Sequence, residues 1–276
     1  MTTSVSSFRS LFELGGQTAL VTGACGILGR RFCAGLAEFG ANLAVVDLDA
    51  AACAVAAQEI EGLHGTRCRG FVCDVSDWAQ VSALVPAVEK ELGPVSILLN
   101  NAASKSGNLE DFFAPAETFK PETWRQVMGV NLEGMFNMAR AFGPRMARRG
   151  AGSIIQTASI YGLTAPDQRI YEGSNYLGRA INTPAVYSAS KAGVIGLTAY
   201  LATLWGDRGV RVNSLSPGGV ESGQNETFVR RYSARVPLGR MARADEMVGA
   251  VIYLASSASS YVTGQNLIVD GGLSSW

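Results

Sequence analysis

The chain has 276 residues, 47% hydrophobic and 17% charged, which is long enough for one large α/β domain and too apolar for an extended charged or disordered segment. Its 23 basic and 23 acidic residues cancel, so it lacks the positive excess that nucleic-acid backbones select. A single histidine, His64, excludes metal sites built on paired imidazoles and confines histidine-dependent nucleophilic catalysis to one position.

Residues 1–16 are Ser/Thr-rich and then weakly apolar, and read as a tail leading into one domain over 17–276. From residue 17 onward, short β-branched or apolar runs alternate with Ala/Leu-rich stretches, the pattern of βα units and a parallel sheet. Strands are expected at 18–22, 42–47, 67–73, 96–100, 153–157, 211–216 and 266–269. Helices are expected at 27–39, 50–60, 78–92, 121–148, 185–205 and 244–254. Together they describe a Rossmann-like, doubly wound parallel sheet flanked by helices. Two polar segments, 162–183 and 218–243, interrupt this spacing just after strand ends, where open α/β sheets carry their ligand sites. Cys25, Cys33, Cys53, Cys68 and Cys73 form no CxxC pair and no signal peptide precedes them, so reduced thiols and a cytoplasmic setting are expected. No long apolar stretch free of charge suggests a membrane span.

The first strand runs into Gly23-Ala24-Cys25-Gly26-Ile27-Leu28-Gly29 and then a helix. Glycines let the backbone approach a pyrophosphate held by the amides of the helix N-terminus. Asp47 closes the second strand, placed to bond ribose hydroxyls, and its charge would repel a 2′-phosphate. Neither Cys25 nor Leu48 offers a cation, so NAD is expected rather than NADP. Further along, Tyr187 and Lys191 stand at i and i+4 on one helix face. A neighbouring ammonium is expected to pull the phenol down from its usual value of about 10, making it a better base near neutrality. His64 reads as a surface loop residue, and Cys25 as a small packing residue in the turn.

The sequence resembles the short-chain dehydrogenase/reductase family from about Leu14 to Gly272. The resemblance is carried by the glycine-rich turn, Cys73-Asp74-Val75, Asn100-Asn101-Ala102-Ala103, Val130-Asn131-Leu132, Ser159, Tyr187 with Lys191, Pro217-Gly218 and Val269-Asp270-Gly271-Gly272, all in order. It implies that Tyr187 is the general acid/base for hydride transfer, and that Ser159 hydrogen-bonds the same substrate oxygen. It implies that Lys191 bonds the nicotinamide ribose, while Asn131 holds a water that relays protons. By the same resemblance Gly23, Cys25, Gly26, Ile27 and Leu28 surround the pyrophosphate, with Asp47 and Leu48 at the ribose. Asp74 meets the adenine between Cys73 and Val75, and Asn100, Asn101 and Ala102 line the adenosine side. Pro217, Gly218, Val220 and Ser222 lie at the nicotinamide. Ser159, Tyr161, Tyr171, Tyr187 and Gly219 are the expected substrate contacts. No metal is implied, and a homotetramer is.

Two departures stand out. The glycines occupy the first, fourth and seventh positions of the turn rather than the family's first, fifth and seventh, so the middle pyrophosphate contact is expected to shift by one residue. Tyr187 follows Ser159 by 28 positions, far more than the family's usual spacing, so the intervening insert is expected to form a wall or lid over the substrate. Thr164-Ala165-Pro166-Asp167 and Ile170-Tyr171-Glu172-Gly173 are similar to a bacterial subgroup of sugar and surface-polysaccharide metabolism. The polar residues of the insert suggest a sugar, sugar acid or polyol, because a polar ligand needs matched donors and acceptors. The insert packing on a neighbouring subunit is the alternative. A 3-oxoacyl or general ketone reductase, and a non-catalytic NAD-sensing protein, are the alternatives for function.

Overall fold

The computed structural model describes residues 7–176 and 178–276. β1 (Thr18–Thr22) is buried along its whole length, the signature of a strand covered by helices on both faces. It leads into α1 (Ile27–Glu38), β2 (Asn42–Asp47), α2 (Ala50–His64), β3 (Cys68–Val72), α3 (Trp78–Leu92) and β4 (Val95–Asn100). Asp49 and Asp77 start α2 and α3 by accepting the amides of Ala51 and Ala79, each at 2.8 Å. After β4 come the short α4 (Leu109–Phe112), α5 (Pro121–Met128), a π-helical turn over Gly129–Glu133, α6 (Gly134–Arg149) and β5 (Gly152–Thr157). A two-stranded hairpin, β6 (Asn175–Tyr176) and β7 (Arg179–Ala180), lies within the insert. The chain continues through α7 (Ala185–Trp205), β8 (Val210–Pro217), α8 (Glu226–Ser233), α9 (Val248–Ala255) and β9 (Asn266–Val269).

The seven long strands pair in parallel in the order β3-β2-β1-β4-β5-β8-β9. Strand order therefore reverses between β1 and β4, the place where such sheets open a ligand crevice. Thr22 fastens this point, its hydroxyl oxygen accepting the amides of Asn101 (3.0 Å) and Ala102 (3.1 Å). One apolar layer joins β1, β2 and α1 to α9, and another joins β4, β5, α3 and α6. A smaller satellite cluster of Ile170, Tyr171, Phe228, Tyr232, Val236 and Met241 sits apart from both.

Most expected elements appear within a residue or two, and the differences have local causes. α2 runs on to His64 and stops at Gly65, whose φ of 69° supplies the left-handed cap, so His64 is helical rather than in a loop. The expected helix over 121–148 is divided by the π turn. The one over 244–254 begins as a 3-10 turn, Ala244–Met247. Residues 1–6 of the expected tail lie outside the described residues, but Leu14 is fully buried and its amide bonds the Phe39 carbonyl at 2.8 Å. No helix among the described residues is long and apolar enough to cross a membrane.

Candidate active site

The glycine-rich turn folds against the start of the loop after β4. Gly23 has φ of 61°, and a Cβ there would stand 2.8 Å from the Ala102 Cα, so only glycine fits. At Gly29 a Cβ would lie 2.1 Å from the Gly23 carbonyl oxygen, which makes that glycine the one that lets α1 pack on its own turn. Gly26 meets nothing closer than that same oxygen at 3.4 Å; it is the N-cap of α1 and brings no side-chain cap to the helix amides. The middle glycine thus leaves an open, uncapped helix N-terminus that suits a pyrophosphate. At the end of β2, Asp47 accepts the Cys25 amide (2.9 Å) and the Leu48 amide (2.8 Å), joining the turn to the ribose position. These residues fit an adenine dinucleotide.

The neighbouring residues divide into those free to face a ligand and those tied into the frame. Asp74 holds the Ser76 amide (2.9 Å) and hydroxyl (2.7 Å) through one carboxylate oxygen. Cys73 and Val75 on either side of it are buried in the core. Asn101 donates to the carbonyls of Thr22 (3.2 Å) and Gly23 (3.1 Å). Asn100, fully buried, donates through its Nδ2 to Gln156 (2.8 Å) and the Met135 carbonyl (3.2 Å), which fastens β4 to β5 and α6.

β5 delivers the chain to Ser159, whose Oγ accepts the Tyr161 amide at 3.2 Å and caps the turn Ile160–Gly162. Gly162 is the hinge of the whole arrangement. A Cβ there would lie 2.7 Å from the backbone carbon of Lys191, so glycine alone permits this turn to rest on α7. That contact sets Ser159 beside Tyr187, and both line the same cavity. Lys191 is 2% exposed, its ammonium donating to the Thr157 carbonyl at 2.7 Å, and burial pushes its pKa down to about 8. Its Nζ stands 5.9 Å from the Tyr187 ring centre.

The expected pairing of phenol and ammonium is therefore present as proximity, but its electrostatic consequence is different. Burial pushes the Tyr187 phenol above its usual value, the Ser159 hydroxyl works against this, and the nearby Tyr171 adds to the rise. The ammonium is turned toward Thr157 instead of the phenol oxygen. Asn131 occupies the π turn and is fully buried; its Oδ1 accepts the Ser104 amide (2.8 Å) and its Nδ2 reaches Ser190 Oγ (3.4 Å). The helix irregularity thus places one amide where α7 and the loop after β4 meet.

Ser159 and Tyr187 open onto a cavity of about 260 Å³ at the C-terminal ends of the strands, with Gly218, Gly219 and Ser222 on one side. Pro217 ends β8 beneath it, and Gly218 lies so near β9 that a Cβ would approach the Asp270 Cα to 2.7 Å. Val220 does not line the cavity; it packs on the core and bridges to Ala242. Tyr161 lines the cavity as expected, but Tyr171 stands behind it. Tyr171 packs in the satellite cluster on Phe228, and its hydroxyl bonds Thr183.

The insert's charged residues also point elsewhere than expected. Asp167 pairs with Arg169 (2.8 Å) and Arg235 (3.0 Å), Glu172 with Arg231 (3.7 Å), and Arg179 with Glu110 (3.4 Å). Arg231 further donates to the carbonyls of Arg169 and Glu172. The arginines beside Asp167 hold its carboxyl down to about 2. These charges fasten the insert to α8 and α4, while Tyr176, Ile181, Asn182 and Thr183 are what it presents to the cavity. Sequence reasoning missed Lys105, Phe228, Tyr232 and Met241 in the wall. Phe228, Tyr232 and Val236 at helical spacing after the capping Asn225 were the available signal for α8.

Comparison with known proteins gives a consistent result. The family model described as enoyl-(acyl carrier protein) reductase matches residues 23–274. The chain is 38% identical to D-threitol dehydrogenase of Mycolicibacterium smegmatis over 266 residues, covering 95% of this chain and 94% of that one. It is 38% identical to galactitol 2-dehydrogenase (L-tagatose-forming) of Cereibacter sphaeroides over 278 residues, covering 98% and 99%. Among solved structures, a gluconate 5-dehydrogenase of Burkholderia cenocepacia in complex with NADP and tartrate superposes with a TM-score of 0.86 at 34% identity, covering 97% of this chain and 98% of that one.

Proposed function

The chain belongs to the short-chain dehydrogenase/reductase family, and from that premise we propose that it is an NAD-linked dehydrogenase interconverting a secondary alcohol and a ketone on a polyhydroxylated substrate. The observation that carries this reading is the meeting of Ser159 and Tyr187 on the floor of one cavity, above a buried Lys191. A bound nicotinamide supplies the hydride acceptor or donor. Tyr187 takes the proton of the substrate hydroxyl in oxidation and returns it in reduction. Ser159 orients the same oxygen and supports its charge. Lys191 holds ribose hydroxyls, and Asn131 positions a water that carries the proton onward. Such a set is more than a protein that only senses the cofactor requires.

The preference for NAD is supported by Asp47, whose carboxylate is fixed by the Cys25 and Leu48 amides where a 2′-phosphate would approach. One cation is near, Arg30, whose guanidinium bonds the Cys25 carbonyl at 3.2 Å. The polyhydroxylated substrate is supported by the threitol and galactitol dehydrogenases among the relatives, and kinship to a sugar or surface-polysaccharide subgroup by the two short stretches of the insert. The aromatic and aliphatic walls favour a second reading, a 3-oxoacyl or general ketone reductase. A homo-oligomer, as a tetramer, is supported by half-exposed Trp124 and Phe136, which share one groove with Leu132 and Leu197 along α5, α6 and α7. A cytoplasmic site agrees with five free thiols.

The test is a substrate panel ordered by polarity, read by NADH and NADPH absorbance. Turnover of sugars, sugar acids or polyols with NAD well above that of apolar alcohols and acyl thioesters is the expected result. Faster reduction of acyl thioesters than of any carbohydrate selects the second reading.

A further inference from the structure

Most polar groups in the cavity wall are already committed within the protein. Thr183 shares a hydrogen bond with Tyr171, Tyr232 accepts the Gly219 amide, Gln224 and Ser222 bond one another, and Asn182 Nδ2 donates to the Phe113 carbonyl. What remains is the Ser159 and Tyr187 pair on the floor, the Asn182 Oδ1, which is buried and has no partner, the Tyr176 hydroxyl, and the ammonium of the exposed Lys105. Among the described residues the lining contains no carboxylate, and Lys105 forms no ion pair. The nearby acids are taken: Glu110 pairs with Arg179, and Asp111 with Lys120. Lys105 is steered by the Tyr176 ring, over which its Nζ lies 4.7 Å from the centre.

We propose that Lys105 is a specificity-determining residue that binds the carboxylate of the substrate, so that the site takes a polyhydroxy acid of aldonate type in preference to a neutral polyol. This rests on the hydride-transfer reading above and narrows it. The cavity has one reacting end that needs a hydroxyl and one positive end that nothing in the protein neutralises. A polyhydroxylated chain with a terminal carboxylate would address both ends, with its C–H groups against the aromatic walls. Because the lysine stands at an exposed rim, its contribution is moderate and sensitive to salt.

The experiment compares D-gluconate with D-glucitol, and D-xylonate with xylitol, using NAD with the wild-type enzyme, Lys105→Met and Lys105→Arg. The wild type should favour the acid of each pair by about tenfold or more in kcat/KM, a size ordinary for one rim charge pair. Lys105→Met should reduce that ratio by about tenfold, mostly through KM for the acid, whereas Lys105→Arg retains most of it. Added salt should raise KM for the acids and leave KM for the polyols in place. If the wild type prefers the polyols, or Lys105→Met leaves the acid-to-polyol ratio unchanged, the role of Lys105 is overturned while hydride transfer on polyhydroxylated substrates stands. If no member of either pair is oxidised and only apolar ketones or acyl thioesters are reduced, both fall together.

Discussion

Below the cavity, Gly162 rests on the backbone of Lys191 so closely that no side chain fits between them, and the turn carrying Ser159 is set against the helix carrying Tyr187 and Lys191 by that contact. Above it, residues 162–183 are tied to α8 and the turn after it by Asp167, Glu172, Arg231 and Arg235, all partly exposed except the mostly covered Asp167. One region is held by close packing of main chain, where even a methyl group has nowhere to go. The other is held by partly exposed ion pairs over a small apolar cluster. The contrast teaches that rigidity is concentrated where atoms react, and adaptable attachment where the substrate is chosen.

The largest effect should come from the floor. Tyr187→Phe removes the proton acceptor and should lower turnover by about 10²–10⁴-fold while NAD binding, followed by NADH fluorescence, persists. Retained turnover would show that the phenol is not the acid/base. Next, Gly162→Ala should destabilise the fold by about 1–3 kcal/mol, as overpacking does, and also depress kcat because Ser159 is displaced from Tyr187. Thermal unfolding and steady-state rates together check this, and a fully active, equally stable variant would refute the tight floor.

A smaller effect lies in pH dependence. Lys191 titrates at about 8 in the folded chain and at the usual, higher lysine value when unfolded. Between those values the unfolded state binds the extra proton, so the stability attributable to this site rises with pH. Below about 8 the cost of burying the charge is present in full; above the ordinary lysine range it is gone. The stability difference between wild type and Lys191→Met should therefore move in favour of the wild type as pH rises through this window, measured by denaturant unfolding. Taking the difference cancels the cysteines, whose buried thiols titrate in the opposite sense. A pH-independent difference would mean that the ammonium is not desolvated. The smallest effect belongs to the roof, where Arg179→Ala should leave the thermal midpoint nearly unchanged, since its exposed pair with Glu110 contributes little. A large drop there would erase the contrast between the two regions.

The floor was legible in the sequence because its chemistry dictates residue types at fixed spacing. Tyr187 and Lys191 needed one helix face, and Ser159 needed a strand end. The strands were legible because burial on both faces forces β-branched and aliphatic runs such as Leu43 to Val46. What did not show is where a side chain points. Asp167 and Glu172 look in sequence like ligand contacts, yet they pair with Arg235, just after α8, and Arg231, on α8, dozens of residues away, and only the folded chain brings those together. Nor did the sequence show that the Asn100 side chain would bond Gln156 on β5 and the Met135 carbonyl on α6. Lys105 carried no pattern at all: it is a single cation in a loop, and its setting is made by residues from four other segments.

The pairing of the insert with α8 has a consequence for modularity. Asp167 and Glu172 belong to one insertion and Arg235 and Arg231 to another, so two stretches separated by the whole of α7 and β8 behave as one part. A chimera that exchanged 162–183 alone with a relative would strand two arginines and break the Tyr171 and Phe228 stack. Exchange of specificity between members of this fold would have to carry both stretches at once, and the unit of inheritance for the substrate pocket is then discontinuous in sequence although continuous in space.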